Sequence, residues 1–403
     1  MMEITKKDEQ SIIDANNFVA VDLYSRLAKE DENLFISPFS ILAALCMAYG
    51  GARGNTAAQM EKALHIVIPQ DGFHQVFNRF SALLDVSQGY ELAVANALSM
   101  KVERQILDSY KNLIKSVYRG EFLKFSANAI NDWVSKQTRG HITKIVDDLK
   151  TAVLMLVNAI YFRGVWDFQF EKDNTRDSDF YMMSRKSVPV PLMHQTDKFR
   201  YAEKPGMQVL DMVYKGHQRS GKLEQISMVV FLPRKRDGLA KFEGGLTAKF
   251  VQQSIASLRE REVEVFFPRF SLETQYELYK PVKDMGMTEA FTPEANFSGM
   301  TAEPAGLMID SIIHKAMIDV DEEGTLATAA TALLMPTAAP FGITIPPRIP
   351  IFRADHPFLF LLRDVNTGII LFIGRFVAPI GPEGKRSSFI PLIKTLTNRL
   401  RRR

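Results

Sequence analysis

The segment from Ile318 to Pro347 constrains the fold more than any other part of this 403-residue chain. It begins with the alternation of apolar and polar residues that is typical of a strand, and it passes through an acidic turn that ends at Gly324. Beyond this turn it has few large side chains. In 325–332, seven of the eight residues are Ala or Thr. Such a stretch has little apolar bulk to bury, and it has too many β-branched residues to favour a helix. It predicts either a flexible exposed loop or a strand that enters a closed space.

Alternation favours the strand. If the segment is extended, its residues divide between two faces. One face carries Thr325, Ala327, Ala329 and Thr331, and the other carries Leu326, Thr328, Ala330 and Ala332. Because the side chains on both faces are small, with Leu326 the largest, the strand could slide between two neighbours that already contact each other.

Two motifs around this segment resemble the serpin family. EEGTLATAA at 322–330 is similar to a serpin hinge, and FRADHPFLFLLRDVNTGIILFIGR at 352–375 is similar to the strands that follow a serpin reactive loop. The resemblance covers about Asn16 to Pro379 and is closest in style to intracellular, ovalbumin-like serpins that lack a signal peptide. It implies an α+β fold with about nine helices, three β-sheets and an exposed reactive-centre loop at about 322–351.

The resemblance also implies a function. A serpin of the inhibitory type is a monomer that traps a serine protease covalently and then inserts its cleaved loop into the main sheet, which is an established case of β-strand addition. Its native state is metastable and kinetically trapped. The alternative is a non-inhibitory serpin that acts as a binding or chaperone-like protein, whose loop would be cleaved without trapping.

Individual residues take roles from the same resemblance. Four polar residues match the shutter beneath the strands that part, and Trp166 matches the breach at the top of that opening. The hinge residues are Glu322, Glu323, Gly324, Thr325, Leu326, Ala327, Thr328, Ala329, Ala330 and Thr331, and the shutter residues are Ser37, Ser40, Asn158 and His314. From the residues alone, each shutter member would be interpreted as an ordinary core or capping residue, and Trp166 as a core aromatic.

The resemblance places the cleaved bond in two ways that disagree. In typical inhibitory serpins the cleaved residue is the seventeenth from the first hinge glutamate, which implies Ala338-Ala339 and an elastase-like target, whereas the spacing of intracellular serpins, twelve residues before Phe358, implies Pro346. Insertion of thirteen or fourteen residues spans about 45 Å, and the prolines from Pro336 onward cannot donate to a sheet. The main rival is Arg348-Ile349, which would suit a trypsin-like pocket. Phe341 and Ile343 are further alternatives.

Other chemistry is poorly supported. The seven histidines form no HExxH motif, and the chain has no G-x-S-x-G elbow, so no catalytic residue, metal or cofactor is expected. GGARGNT lacks the lysine of a phosphate loop and predicts a turn between helices. DVDEEG at 319–324 lacks the last carboxylate of a calcium loop and is interpreted as a solvated hinge turn.

Local patterns predict several elements. A helix is expected over about Ser11 to Ala28, and another after Ser37 and Pro38, which suit a cap and a first turn. Strands are expected over Tyr90 to Met100 and over the apolar run 154–170. The single cysteine, Cys46, lies in an apolar run and is predicted to be a buried thiol.

Domain organisation follows from the order of these patterns. Helices come first, mixed strands follow, and no linker divides the chain, which favours one α+β domain over 1–379. The N-terminus lacks an apolar h-region, and no stretch reaches the length of a membrane span. The expected location is the cytoplasm, or the extracellular space by a route without a signal peptide.

The last 24 residues, 380–403, depart from the family pattern. Helical spacing of leucine and isoleucine predicts a basic amphipathic extension that contacts a heparin-like polyanion or a membrane surface, or that docks on the protein itself. The candidate contacts are Lys394, Arg399, Arg401, Arg402 and Arg403. The family's usual heparin helix, near Phe73 to Leu84, offers only His74 and Arg79 here, and no specific nucleic acid is expected.

Overall fold

The computed structural model describes residues 4–29, 31–81, 89–101, 104–149, 153–184, 186–219, 222–323 and 348–379. Within these ranges the chain forms nine α-helices. They are α1 (Lys6–Leu27), α2 (Pro38–Gly51), α3 (Gly54–Ala63), α4 (Gln70–Ser81), α5 (Asp108–Val117), α6 (Ala127–Gln137), α7 (Leu239–Glu243), α8 (Ala248–Ala256) and α9 (Tyr279–Asp284).

Sixteen strands lie in the same ranges. They are β1 (Leu34–Ile36), β2 (Tyr90–Met100), β3 (Glu121–Lys124), β4 (Leu154–Gly164), β5 (Arg176–Tyr181), β6 (Ser187–Lys204), β7 (Met207–Val213), β8 (His217–Arg219), β9 (Lys222–Glu224), β10 (Ile226–Pro233), β11 (Arg259–Pro268), β12 (Phe270–Glu277), β13 (Ile309–Val320), β14 (Ile351–Arg353), β15 (Phe358–Asp364) and β16 (Ile370–Phe376). They form sheets of nine, five and two strands. The predicted α+β fold with about nine helices and three sheets is confirmed.

Helix α2 is the buried centre of the fold. Ser37 caps it by accepting a hydrogen bond from the amide of Ser40, and Pro38 occupies the first turn, as the sequence predicts. All fourteen residues of α2 are buried, including Cys46, so the prediction of a buried thiol is confirmed. The predicted turn between helices is also confirmed, because α2 ends at Gly51 and α3 begins at Gly54.

The five-stranded sheet has the order β12-β13-β4-β2-β3. Its central pair, β4 and β13, is parallel, with Leu154 opposite Ile309 and, after a one-residue shift in β13, continuous register from Met155 opposite Ser311 to Arg163 opposite Asp319. The outer neighbours of this pair, β2 and β12, are antiparallel to it. We call the boundary between β4 and β13 the seam, because the two strands it joins are far apart in the sequence.

Strand β4 is shorter than the predicted strand over 154–170. It ends at Gly164, which packs so closely against Tyr214 that an added Cβ would lie 2.5 Å from the ring. The chain then turns, and Trp166 forms an isolated bridge with Tyr214. The remaining residues leave the sheet and contact the acidic turn after β13, as described below.

The nine-stranded sheet carries the strand that follows the candidate loop region. Its order is β1-β16-β15-β10-β7-β6-β11-β14, with β5 paired to β6. Strand β14 pairs in parallel with β11 and begins at Ile351, whereas β13 ends at Val320 in the other sheet. Among the described residues, no helix is long and apolar enough to cross a membrane.

Candidate functional site

A row of polar side chains crosses the seam on the face that packs against α2. Asn96 of β2, Asn158 of β4 and His314 of β13 are direct register partners. Asn158 donates through Nδ2 to Asn96 Oδ1 and to Ser40 Oγ, and its Oδ1 accepts from His314 Nδ1. The three residues are at most 2% exposed, so these bonds replace the water that the groups would otherwise bind.

The N-terminus of α2 completes this arrangement. The backbone N–H of Ser37 donates to His314 Nε2 at 3.1 Å, and Ser37 Oγ donates to the carbonyl of Leu371 at 2.7 Å. We call Ser37, Ser40, Asn96, Asn158 and His314 the polar cluster. It joins α2 to three strands of the five-stranded sheet, and it joins the two sides of the seam to each other.

These hydrogen bonds determine the tautomer and the protonation state of His314. Because Nε2 accepts a hydrogen bond from a backbone N–H, the single proton of the neutral ring lies on Nδ1 and is donated to Asn158. Burial lowers the pKa of His314 to about 3. A second ring proton would point at the Ser37 N–H, so protonation is incompatible with the polar cluster as it is built.

The structure thus brings together the four predicted shutter residues, and it adds one that sequence reasoning missed. Asn96 lies within YELAVANALSM, where a single amide among apolar residues gives a faint signal of a buried polar contact. Its partner could not be identified from the sequence, because the pairing of β2 with β4 depends on the strand order.

Trp166 lies at the end of the seam where β13 stops. It is 2% exposed and stacks on Tyr214, with ring centroids 4.2 Å apart. Its indole Nε1 donates to the backbone carbonyl of Asp321 at 2.9 Å. The predicted breach residue therefore contacts the chain directly after β13.

The acidic turn, defined as 321–323, is bonded to the segment that follows β4. The amide of Phe170 donates to the Glu322 carbonyl at 3.0 Å, and Gln169 Nε2 donates to the Glu323 carbonyl at 2.8 Å. The carboxylate of Glu323 pairs with Lys172, and Asp321 pairs with Arg163 at 2.9 Å. Backbone and side chains both hold this turn against the neighbouring strand.

Glu322 differs from its neighbours in being buried. It is 3% exposed, and its Oε1 accepts from Thr175 Oγ1 at 2.8 Å and lies 3.4 Å from Arg269 Nη1. The expectation of a solvated turn is therefore wrong for Glu322. Two segments that are distant in sequence supply the partners that make burial of this carboxylate possible.

Most of the candidate reactive loop lies outside the described residues. This holds for the hinge from Gly324 to Thr331 and for Ala338, Ala339, Phe341 and Ile343, and also for the basic extension 380–403. Arg348 and Ile349 are described and exposed. They precede Pro350, whose carbonyl accepts from the Glu264 amide at 3.0 Å and attaches the chain to β11.

Helix α4 presents little positive charge. His74 is 5% exposed, its Nδ1 bonds to the Tyr118 hydroxyl, and burial lowers its pKa to about 4. Arg79 pairs with Glu9 at 2.7 Å. Of the two basic residues expected on this helix, only Arg79 is accessible.

Known proteins share this architecture. The family described as Serpin (serine protease inhibitor) matches residues 14–379. An uncharacterised serpin-like protein of Thermococcus kodakarensis is 37% identical over 92% of this chain and 86% of its own length. Leukocyte elastase inhibitor of Bos taurus is 36% identical over 91% of this chain and 98% of its own. The native-state structure of the thermophilic serpin tengpin has a TM-score of 0.81 and 26% identity, covering 94% of this chain and 95% of tengpin.

Proposed function

The chain belongs to the serpin family, and we propose that it inhibits a serine protease by covalent suicide trapping. The serine Oγ of the protease attacks a carbonyl carbon of the reactive loop and forms an ester, while the peptide bond breaks and the new amine leaves with a proton. The cleaved loop then enters the five-stranded sheet before water can hydrolyse the ester.

The parallel seam between β4 and β13 is the observation that carries this proposal. A chain that leaves β13 and folds back runs antiparallel to β13 and also to β4, because these two strands are parallel. Its insertion would replace one parallel ladder by two antiparallel ladders, which are slightly more stable per residue. The acidic turn after Val320 is the natural place for the reversal.

Length supports the same path. The seam ladder runs over eleven residues of β13, Ile309–Asp319. The loop offers eleven residues, 325–335, before its first proline, and seven of the first eight are Ala or Thr. Proline lacks the N–H that a central strand must donate, so Pro336 sets a limit to deep insertion.

We place the cut at Ala338-Ala339, which lies just beyond this limit. A small residue before the cut suits the narrow pocket of an elastase-like protease, and the likeness to a leukocyte elastase inhibitor supports that class of target. Arg348-Ile349 is the rival, since Arg348 is exposed and would suit a trypsin-like pocket. Ten additional residues would leave the captured protease on a slack tether with less distortion.

The test uses the full chain with elastase, chymotrypsin and trypsin in separate reactions, analysed on denaturing gels and by intact mass. We expect a covalent complex with elastase and a released peptide that begins at Ala339. A peptide that begins at Ile349 would instead assign the cut to Arg348. Clean cleavage by every protease without a complex would reject trapping and leave the non-inhibitory binding or chaperone-like function.

We also propose that any contact with a heparin-like polyanion or a membrane surface depends on the extension 380–403, because α4 offers only Arg79. Salt-dependent retention on heparin should fall when 380–403 is removed, and equal retention of both proteins would reject this role. Binding assays with anionic and with neutral vesicles then distinguish contact with a membrane surface from contact with a heparin-like polyanion. The cytoplasmic location, or export without a signal peptide, stays a prediction.

A further inference from the structure

The outer face of the five-stranded sheet carries a second connection across the seam. The hydroxyl of Tyr161 in β4 donates to Asp319 Oδ2 in β13 at 2.9 Å. Asp319 is the register partner of Arg163, so the bond runs diagonally between the two strands. Tyr161 is 1% exposed, and burial together with the Asp319 carboxylate raises the pKa of its phenol, so it remains a donor near neutral pH.

A segment that crosses the sheet covers this bond. Residues 138–149, which follow α6, are called the strap. The imidazole of His141 in the strap stacks on the Tyr161 ring, with centroids 3.6 Å apart and planes 9° from parallel. The carboxylate of Glu91 in β2 contacts the strap twice: Oε1 lies 3.0 Å from Arg139 Nη1, and Oε2 lies 3.7 Å from His141 Nε2. The first part of the strap is therefore attached to β2 and β4, on one side of the seam.

The rest of the strap is attached to the other side. Lys315 of β13 donates through Nζ to the Lys144 carbonyl at 2.7 Å, and Gln275 of β12 donates to the Ile145 carbonyl at 3.0 Å. Lys315 also pairs with Glu273 at 2.7 Å, which fixes the direction of its side chain. The strap thus bridges the two strands that the proposed insertion must separate.

We propose that Tyr161 and Asp319, covered by His141, form a clasp that sets the rate at which β4 and β13 separate. This inference rests on the proposed function, because it concerns the same seam. Neighbouring strands lie about 4.8 Å apart, and an inserted strand roughly doubles that spacing. Because the hydroxyl cannot reach the carboxylate across an inserted strand, the clasp stabilises only the closed sheet. Tyr161 and Asp319 act as positioning residues and do not contact the protease.

The test measures opening of the seam without a protease. A fluorescein-labelled peptide with the sequence of 325–335 is incubated with the intact protein, and its incorporation is followed by fluorescence on native gels. We expect Tyr161→Phe to accelerate incorporation by about tenfold, since it removes a hydrogen bond to a charged group from the closed sheet alone. Asp319→Asn, which keeps an acceptor but loses the charge, should give a smaller acceleration.

Tyr110→Phe is the matched control. Tyr110 is a buried tyrosine whose hydroxyl donates to the Met47 carbonyl at 2.8 Å, joining α5 to α2 away from the clasp. The Tyr110→Phe variant should have a lower melting temperature than the unmodified protein, both in the closed form and in the peptide-loaded form. Tyr161→Phe should lower the melting temperature of the closed protein only, a pattern that a merely structural tyrosine would not give.

Equal incorporation rates for Tyr161→Phe and the unmodified protein would overturn the clasp, as would equal losses of melting temperature in both forms. Failure of the unmodified protein to take up the peptide would also overturn it, because the seam would then not open. If the peptide enters with the expected rates but no protease is trapped, the clasp stands and the proposed inhibition fails.

Discussion

His314 and Asn158 face each other across the seam as register partners, and the Nδ1 of His314 donates its proton to the Asn158 Oδ1. Since Nε2 accepts from the Ser37 amide, the ring has no site for a second proton. This bond links the two strands whose separation the proposed mechanism requires. The protonation state of one buried ring is thereby coupled to closure of the sheet.

We expect acid to destabilise the closed protein through His314. Its pKa is lowered to about 3, whereas an unfolded histidine titrates near 6.5. Between these values the unfolded chain binds a proton that the native protein does not, so the free energy of unfolding falls as the pH decreases from about 6.5 to 3. The upper limit of this loss is about 5 kcal/mol, at about 1.4 kcal/mol per pH unit. Urea titrations at several pH values measure it.

His314→Gln is the matching variant, because an amide can accept from Ser37 and donate to Asn158 without titrating. It should be less stable than the unmodified protein at pH 7.5 and should depend less on pH between 6.5 and 4. His74, with its pKa lowered to about 4 by burial, contributes to the remaining slope. An unchanged slope in His314→Gln would contradict the assignment to His314.

The sequence predicts local features well and long-range pairing poorly. The cap at Ser37 and the first-turn Pro38 could be identified because both depend on neighbouring residues. Asn96 could not, because its role follows from the position of β2 beside β4. Burial of Glu322 was missed for a similar reason, since Thr175 and Arg269 are about 150 and 50 residues away in the sequence. Many motifs together indicate the fold class and the resemblance to a family. Each buried contact, in contrast, depends on which two segments of the chain lie side by side.

Asn96 should prove as important to stability as the four predicted residues. Asn96→Leu removes the acceptor of Asn158 Nδ2 and should lower the free energy of unfolding by about 1–3 kcal/mol. Ser99→Ala on the same strand is the control, because Ser99 Oγ is buried and has no hydrogen-bond partner in the described part of the chain. It should be neutral or slightly stabilising. Urea unfolding measures both, and equal effects would show that Asn96 has no special role.

Glu322 and Glu323 are adjacent carboxylates, of which Glu322 is buried and Glu323 is partly exposed. Glu322→Ala leaves Thr175 and Arg269 without their buried partner and should destabilise the closed protein by about 1–3 kcal/mol. Glu323→Ala removes only the partner of an exposed lysine and should have a smaller effect, because solvent screens an exposed ion pair. Thermal unfolding in low and high salt distinguishes them, since salt weakens the exposed pair more than the buried contacts. Similar losses of stability in the two variants would mean that burial of Glu322 does not increase its contribution to stability.

The composition of the hinge supplies the last prediction. If Thr325 enters the seam, Thr325→Arg would place an unpaired charge between β4 and β13, at a cost of several kcal/mol. Insertion should then be slower than hydrolysis of the ester, so the variant becomes a substrate that the protease cleaves and leaves. Thr325→Ser keeps a small side chain and should inhibit like the unmodified protein. The number of inhibitor molecules consumed per protease inactivated measures the difference. A value near one for Thr325→Arg would refute insertion of this part of the loop, because a buried arginine at the seam and efficient trapping are incompatible.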